Sequence, residues 1–422
     1  MEFSTKCLHE GYSPGNGDPR VLPIYQSTTY KYSSTEHVQQ LFDLSAEGFF
    51  YSRLANPTCD AVEKKIASLE GGVGAMLTSS GQSANFISLF NLLGCGDHFI
   101  SLRSIYGGTY NLFSVTMKKM GIDVSWVDAD ASEEEIQALF RPETKAIFGE
   151  TITNPTMEVF DIERFARVAH KNGVPLIVDN TFATPYLCRP IEFGADIVTH
   201  STTKYMDGHA IQVGGVIVDG GKFDWGRNNK FPCLTEPDNS YHGTVYTKDF
   251  GNAAYITKAR VQLMRDLGTC QSAQAAFYIN LGLETLPLRM EKHCKNALEV
   301  AEFLGSRSDV EFVNYPLLKD NKYYALAKKY LPKGASGVIA FSLKGGREAG
   351  VKFIDNLHLC TLAVHVADIR TCVLHPASST HRQLSDSDLL AAGITPGLIR
   401  LSVGCEDVRD IIDDISNALK NT

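Results

Sequence analysis

The apolar positions of this chain switch repeatedly between two periods from residue 57 to residue 220. Short runs rich in β-branched and aromatic residues read as buried strands: Phe99–Leu102, Val124–Val127, Lys145–Glu150, Leu176–Asp179, Ala195–Thr199 and Val216–Val218. Between them, apolar residues recur at helical spacing. Val62, Ile66 and Leu69 share one face of a helix that Asn56-Pro57-Thr58 starts and Gly71-Gly72 stops. Ile162, Phe165 and Val168 do the same in a helix closed by Gly173. The stretch from Gly74 to Leu93 reads as strand, small-residue turn and helix. This alternation predicts an α/β fold, a mostly parallel sheet with helices on both faces. Ligands of such sheets bind beyond the C-terminal strand ends. Tyr106, Asn154, Asp179 and Lys204 all follow strand ends, so they converge.

The flanks follow other patterns. Residues 1 to about 55 carry Pro14, Gly15, Gly17, Pro19 and Pro23 and then a polar, aromatic stretch, which predicts an N-terminal arm that wraps another part of an assembly. A domain over 56–255 and a smaller C-terminal α/β domain over 256–422 are expected after it. Residues 222–250 form a long irregular segment, either a functional flap or a surface excursion. The C-terminal part holds a long helix from about Leu288 to Leu304 and strands at Gly337–Ser342, Thr361–Val364 and Leu398–Gly404.

Composition narrows the function classes. The chain has 422 residues, with apolar and charged fractions ordinary for a globular protein and a net charge of −8, so it lacks the basic footprint of a nucleic-acid binder. No apolar run approaches membrane-helix length, and the first residues lack the features of a cleaved leader, so a cytoplasmic protein without a membrane partner is expected. Ten cysteines scattered without a C-x-x-C pattern suit reduced thiols. His358, His365, His375 and His381 match no tight ligand spacing, so no metal is expected.

The candidate chemistry centres on Ser201-Thr202-Thr203-Lys204-Tyr205. A lysine just past a strand can condense with an aldehyde while neighbouring hydroxyls hold an attached phosphate. Asp179, at the end of another strand, can keep a pyridine nitrogen protonated. Together they suit pyridoxal 5'-phosphate (PLP). Taken singly, Lys204 reads as a surface charge and Asp179 as a turn residue or helix cap. The Ser79-Ser80-Gly81-Gln82-Ser83-Ala84 turn opens a helix whose N-terminus suits a phosphate. Arg400 lies in an apolar strand, where a guanidinium either grips a ligand carboxylate or pairs with Glu406 or Asp407.

These motifs, with Tyr51-Ser52-Arg53, Asn56-Pro57-Thr58, Val178-Asp179-Asn180-Thr181 and Arg400-Leu401-Ser402-Val403-Gly404, stand in the order of a known family. The chain resembles the PLP-dependent enzymes of cysteine and methionine metabolism, the trans-sulfuration family, over nearly its whole length. The resemblance implies a type I PLP-dependent transferase fold and a homotetramer of close dimers. It implies that Lys204 holds the cofactor and shuttles protons, that Asp179 pairs with the pyridine nitrogen, and that Tyr106 stacks on the ring and acts in acid–base steps. It assigns the phosphate to Ser80, Gly81, Gln82, Ser201 and Thr203, joined by Tyr51 and Arg53 of a neighbouring subunit. Asn154 falls near the cofactor hydroxyl and the substrate, and Arg400 on the substrate carboxylate.

Within the family, the 222–250 segment and the tail His375–Leu384 are similar to the O-acetylhomoserine sulfhydrylases; Ser379 of that tail falls at the substrate. Methionine γ-lyases typically carry cysteine where this chain has Gly108. His365 stands where relatives usually carry serine or asparagine, and Ala367 where they usually carry glycine. The implied reaction is replacement of the acetyl group of O-acetyl-L-homoserine by sulfide or methanethiol, giving homocysteine or methionine plus acetate. A γ-lyase that releases 2-oxobutyrate, ammonia and a thiol is the alternative, a PLP-holding regulatory protein a remoter one. Acetyl and succinyl esters both stay open.

Overall fold

Residues 1–55 contain two short helices, α1 (Phe3–His9) and α2 (Thr35–Phe42), which the proline- and glycine-rich pattern does not announce. Cys7 and Leu41 are buried, whereas Ile24 and Tyr25 remain exposed. Helix α3 (Pro57–Glu70) begins where the Asn56 side chain accepts the Thr58 N–H at 2.9 Å, and ends on Gly71 in the left-handed region at φ 80°. The arm is tied to this start: Thr58 Oγ1 donates to the Pro23 carbonyl and accepts the Tyr25 N–H. This computed structural model describes residues 1–379, 382 and 395–422.

Beyond α3 come β1 (Gly74–Thr78) and α4 (Gly81–Phe90), capped by Ser80, whose hydroxyl accepts the Ser83 N–H. The strands β2 (His98–Leu102), β3 (Asp123–Val127), β4 (Thr144–Glu150), β5 (Leu176–Asp179), β6 (Ile197–His200) and β7 (Gly215–Asp219) complete a seven-stranded sheet in the order β1-β7-β6-β5-β4-β2-β3. From β6 to β3 every neighbouring pair is parallel; β7 runs antiparallel to both β6 and β1. The expected mostly parallel α/β sheet is therefore what forms. The antiparallel strand has a consequence: β6 and β7 are adjacent, so residues 201–214 reverse the chain at the sheet's C-terminal edge instead of crossing its face. Lys204 lies in that reversal.

A five-stranded sheet in the order β10-β11-β12-β9-β8 forms the C-terminal part. It comprises β8 (Val310–Asn314), β9 (Val338–Leu343), β10 (Thr361–Leu362), β11 (Cys372–Leu374) and β12 (Leu398–Ser402), antiparallel except for β10 with β11. The helix Leu286–Gly305 packs beside it. The two sheets meet around Tyr205. This fully buried phenol accepts the Gly337 N–H at 2.8 Å, and Arg289 donates to the Tyr205 carbonyl at 2.8 Å.

The 222–250 segment packs an aromatic cluster, Phe223, Trp225 and Phe231, with Trp225 stacked on Tyr255. Lys230 Nζ donates to the carbonyls of Pro142 and Thr144. Thr144 begins β4, so this anchor lies at the opposite end of the strand from Glu150 and the cavity described below. Among the described residues no helix is long and apolar enough to cross a membrane.

Candidate active site

Residues at or beyond the ends of β1, β2, β4, β5 and β6, with Val364, His365, Val366 and Arg400, enclose a cavity of about 260 Å³. Its lining includes Ser80, Gly81, Gln82, Tyr106, Asn154, Asp179, Ser201, Thr203, Lys204 and Arg400, so the topology brings these sequence-selected residues together. Three others fall elsewhere. Tyr51 and Arg53 line a second cavity with Tyr32, Phe42, Tyr241 and Arg265, and Arg53 lies over the Tyr51 ring at 5.3 Å. Ser379 turns its hydroxyl to the His375 carbonyl at 2.7 Å and is not among the lining residues. Thr380, His381, Gln383 and Leu384 of the tail lie outside the described residues. No residue of the 222–250 segment lines the Lys204 cavity; Ser240, Tyr241 and His242 line the second one.

Asp179 ends β5 with both carboxylate oxygens engaged. Oδ1 accepts the N–H of Thr181 at 3.0 Å and also its hydroxyl, and Oδ2 accepts Asn85 Nδ2 at 3.1 Å. Asn85 is itself fixed, because Thr199 donates to its Oδ1 at 2.6 Å. A buried carboxylate held from two sides in this way can accept one further N–H with little reorganisation. The pattern of single strands does not reveal Asn85 as its support.

The reversal carrying Lys204 is tight. Thr203 Oγ1 donates to the Gly214 carbonyl and accepts the Gly214 N–H, at 3.2 and 3.0 Å. Burial and then the nearby Arg400 charge push the Lys204 amine down to about 8. A lysine so tuned is neutral for much of the time in mildly alkaline solution, as a nucleophile or base must be.

The first turn of α4 presses on Ser201. A Cβ on Gly81 would stand 2.6 Å from the Ser201 Cβ, so only glycine lets the helix N-terminus and the Ser201 and Thr203 hydroxyls meet at one place. Backbone N–H groups, a helix dipole and hydroxyls there suit a phosphate. Tyr106 precedes a short helix, Gly107–Asn111, that continues as a wider π-type turn, Leu112–Met117. Tyr106 is 48% exposed, and its ring lies against Gly108, where a Cβ would come within 2.6 Å of Tyr106 Cε1.

Arg400 comes from β12, is 8% exposed, and faces Lys204 across the cavity. Among the described residues its guanidinium has only neutral partners: Nη1 donates to Asn154 Oδ1 at 3.2 Å and Nη2 to the His365 carbonyl at 2.9 Å. The internal ion pairs weighed for it are not made. Glu406 accepts from Thr371, and Asp407 pairs with Arg409. His365 lines the cavity too. Burial and the Lys204 charge hold its imidazole down at about 4, and its Nε2 is buried with no partner among the described residues. Ala367, two residues on, adopts φ 69° and donates its N–H to the Ser402 hydroxyl at 2.7 Å.

The donor set therefore fits PLP: a lysine for the aldehyde, a carboxylate for the ring nitrogen, a phosphate cup, and a cation for an amino-acid carboxylate. Comparison with known proteins agrees. A family model described as Cys/Met metabolism PLP-dependent enzyme matches residues 4–420. The O-acetyl-L-homoserine sulfhydrylase of Leptospira meyeri is 47% identical, covering 99% of this chain and 96% of its own. The homocysteine synthase of Schizosaccharomyces pombe is 46% identical, covering 99% and 98%. A crystal structure from Campylobacter jejuni, of a candidate O-acetylhomoserine (thiol)-lyase holding a pyridoxyl-lysine phosphate, superposes over 100% of both chains with TM-score 0.95 and 36% identity.

Proposed function

The chain belongs to the Cys/Met metabolism PLP-dependent enzymes, and on that premise we propose that it replaces the acetyl group of O-acetyl-L-homoserine by sulfide or methanethiol. The observation that carries this reading is Arg400, a buried cation with only neutral partners among the described residues, lining one cavity with Lys204. It suits a ligand that brings its own carboxylate. The names of the full-length relatives support the ester as substrate and homocysteine as product.

When bound, PLP supplies the electron sink that allows the protons on Cα and Cβ of the amino acid to be removed. The protein's groups do the rest. Asp179 accepts the ring N–H and keeps that nitrogen charged. Ser201, Thr203 and the backbone N–H groups of Ser80, Gly81 and Gln82 hold the phosphate. Lys204, once displaced by the substrate, moves protons at Cα and Cβ. Tyr106 covers the ring and serves the acid–base steps, and Arg400 with Asn154 fixes the substrate carboxylate. Acetate leaves from Cγ, and the thiol sulfur bonds to that carbon.

Tyr51 and Arg53 stand apart from their own cavity, which supports a homotetramer in which they reach the phosphate of a neighbouring copy. Ser379 contributes to the substrate side in this reading. The domain division at 55 and 255 and a cytoplasmic location complete it. An end-product assay with O-acetylhomoserine, with and without sulfide, tests the reaction. Homocysteine formed only with sulfide is expected; abundant 2-oxobutyrate and ammonia under both conditions would make the enzyme a γ-lyase.

A further inference from the structure

Glu150 ends β4 and has no part in the function just described. Its side chain is 5% exposed and lines the Lys204 cavity. One carboxylate oxygen accepts the Tyr106 N–H at 2.8 Å, and the other accepts the Asn154 N–H at 3.2 Å. Asn154 in turn receives Arg400 through its side-chain oxygen at 3.2 Å. Contacts thus run unbroken from the backbone under the Tyr106 ring, through Glu150 and Asn154, to the guanidinium on β12.

The location is an unfavourable one for a charge. Glu150 pairs in register with Asp179, and burial and then the Asp179 charge both push its carboxyl well above the usual range. A glutamine would remove that repulsion, but its amide end would confront one of the two N–H donors. A carboxyl group has an oxygen to offer each loop, and here each oxygen accepts one N–H.

We infer that Glu150 is a positioning residue that sets Tyr106 and, through Asn154, Arg400 against each other, so that one side chain adjusts the cofactor side and the carboxylate side of the site together. The Arg400 half of this inference rests on the reading of Arg400 as the receiver of the substrate carboxylate.

The test compares holoenzymes carrying Glu150→Gln, Asn154→Ala and both changes. For Glu150→Gln, KM for the amino-acid ester should rise about tenfold and kcat should fall about tenfold, with cofactor absorbance and unfolding midpoint retained. If the effect on Arg400 passes through Asn154, the double variant should raise KM no further than Asn154→Ala alone. Calorimetric binding of L-norleucine, which carries the carboxylate but no leaving group, should follow the same order. Glu150→Asp, one methylene shorter, can hold a single loop and should resemble the glutamine variant. KM effects that multiply in the double variant would overturn the inference, as would kinetics of Glu150→Gln within twofold of the parent. A Glu150→Gln protein that loses cofactor and cooperative unfolding, with Glu150→Asp behaving as the parent, would show a purely structural role and also overturn it. Arg400→Lys with unchanged KM would instead remove the Arg400 reading and the KM half with it.

Discussion

The two walls of the Lys204 cavity are built on different principles. The wall from the large sheet is set by adjacent parallel strands, whose ends place Glu150 beside Asp179 in register and put Ser201 just past β6. Its carboxylates are held by neighbouring donors, as Asn85 and Thr181 hold Asp179 and the N–H groups of Tyr106 and Asn154 hold Glu150. The wall from the small sheet is looser in its polar accounting. Among the described residues Arg400 has only neutral partners and the His365 Nε2 has none, and Ala367 adopts a left-handed backbone. A wall whose carboxylates are fixed in advance is prepared for a constant partner, here the cofactor. A wall with polar capacity in hand is prepared for a partner that comes and goes, and it is where substrate preference can be set.

Four measurements sharpen or break this contrast. Replacing Lys204 with alanine removes the amine proposed to carry protons on the first wall. Turnover should fall by roughly 10²–10⁴-fold or more, measured as homocysteine release at saturating ester; retained turnover would sink the mechanism. Arg400→Ala acts on the second wall and should spare cofactor binding. Loss of a buried charge partner costs about 2–4 kcal/mol, which is roughly 30- to 1,000-fold in KM, with the visible absorbance of the bound cofactor unchanged.

The walls also interact through charge. The Lys204 amine reacts with an aldehyde only when neutral, so PLP uptake by the apo-protein should rise with pH and level off above about 8. Arg400→Gln removes the second cause of that lowering and leaves burial, the first. The plateau should therefore move to higher pH while staying below that of an ordinary lysine, near about 10.4. A plateau that stays in place would mean the walls are electrostatically independent. The smallest effect is expected at Ala367, where glycine relieves the left-handed strain and should stabilise the fold by up to about 1 kcal/mol, read as a higher denaturant midpoint.

The first wall was legible in the sequence, and for a physical reason. Parallel strands write themselves as apolar runs, and their ends announce Asp179 and the Lys204 segment directly. Glu150 was visible only as the end of a strand, because its role depends on N–H groups returning from residues 106 and 154. Asn85 was hidden in the same way: it reads as one polar residue in a helix, yet it touches Asp179 and Thr199. The π-type turn after Tyr106 and the reversed direction of β7 leave no periodic trace. For Arg400 the sequence left a choice between a ligand and an internal ion pair, and the geometry removes the pairs with Glu406 and Asp407, which bind Thr371 and Arg409. The long 222–250 segment was noticed for its length, which says nothing about which end of the strands it covers.

The Tyr205 contact has a practical meaning for anyone recombining relatives of this enzyme. Exchanging C-terminal halves would transplant Arg400, His365 and Ala367 as one block. The seam of such a chimera runs where a Cβ at Gly337 would lie 2.8 Å from the Tyr205 hydroxyl and 2.9 Å from the Val403 carbonyl. A donor half with any side chain at that position would wedge the seam apart one residue from Lys204. Compatibility at a single glycine thus decides whether the two halves of the site can be bred separately.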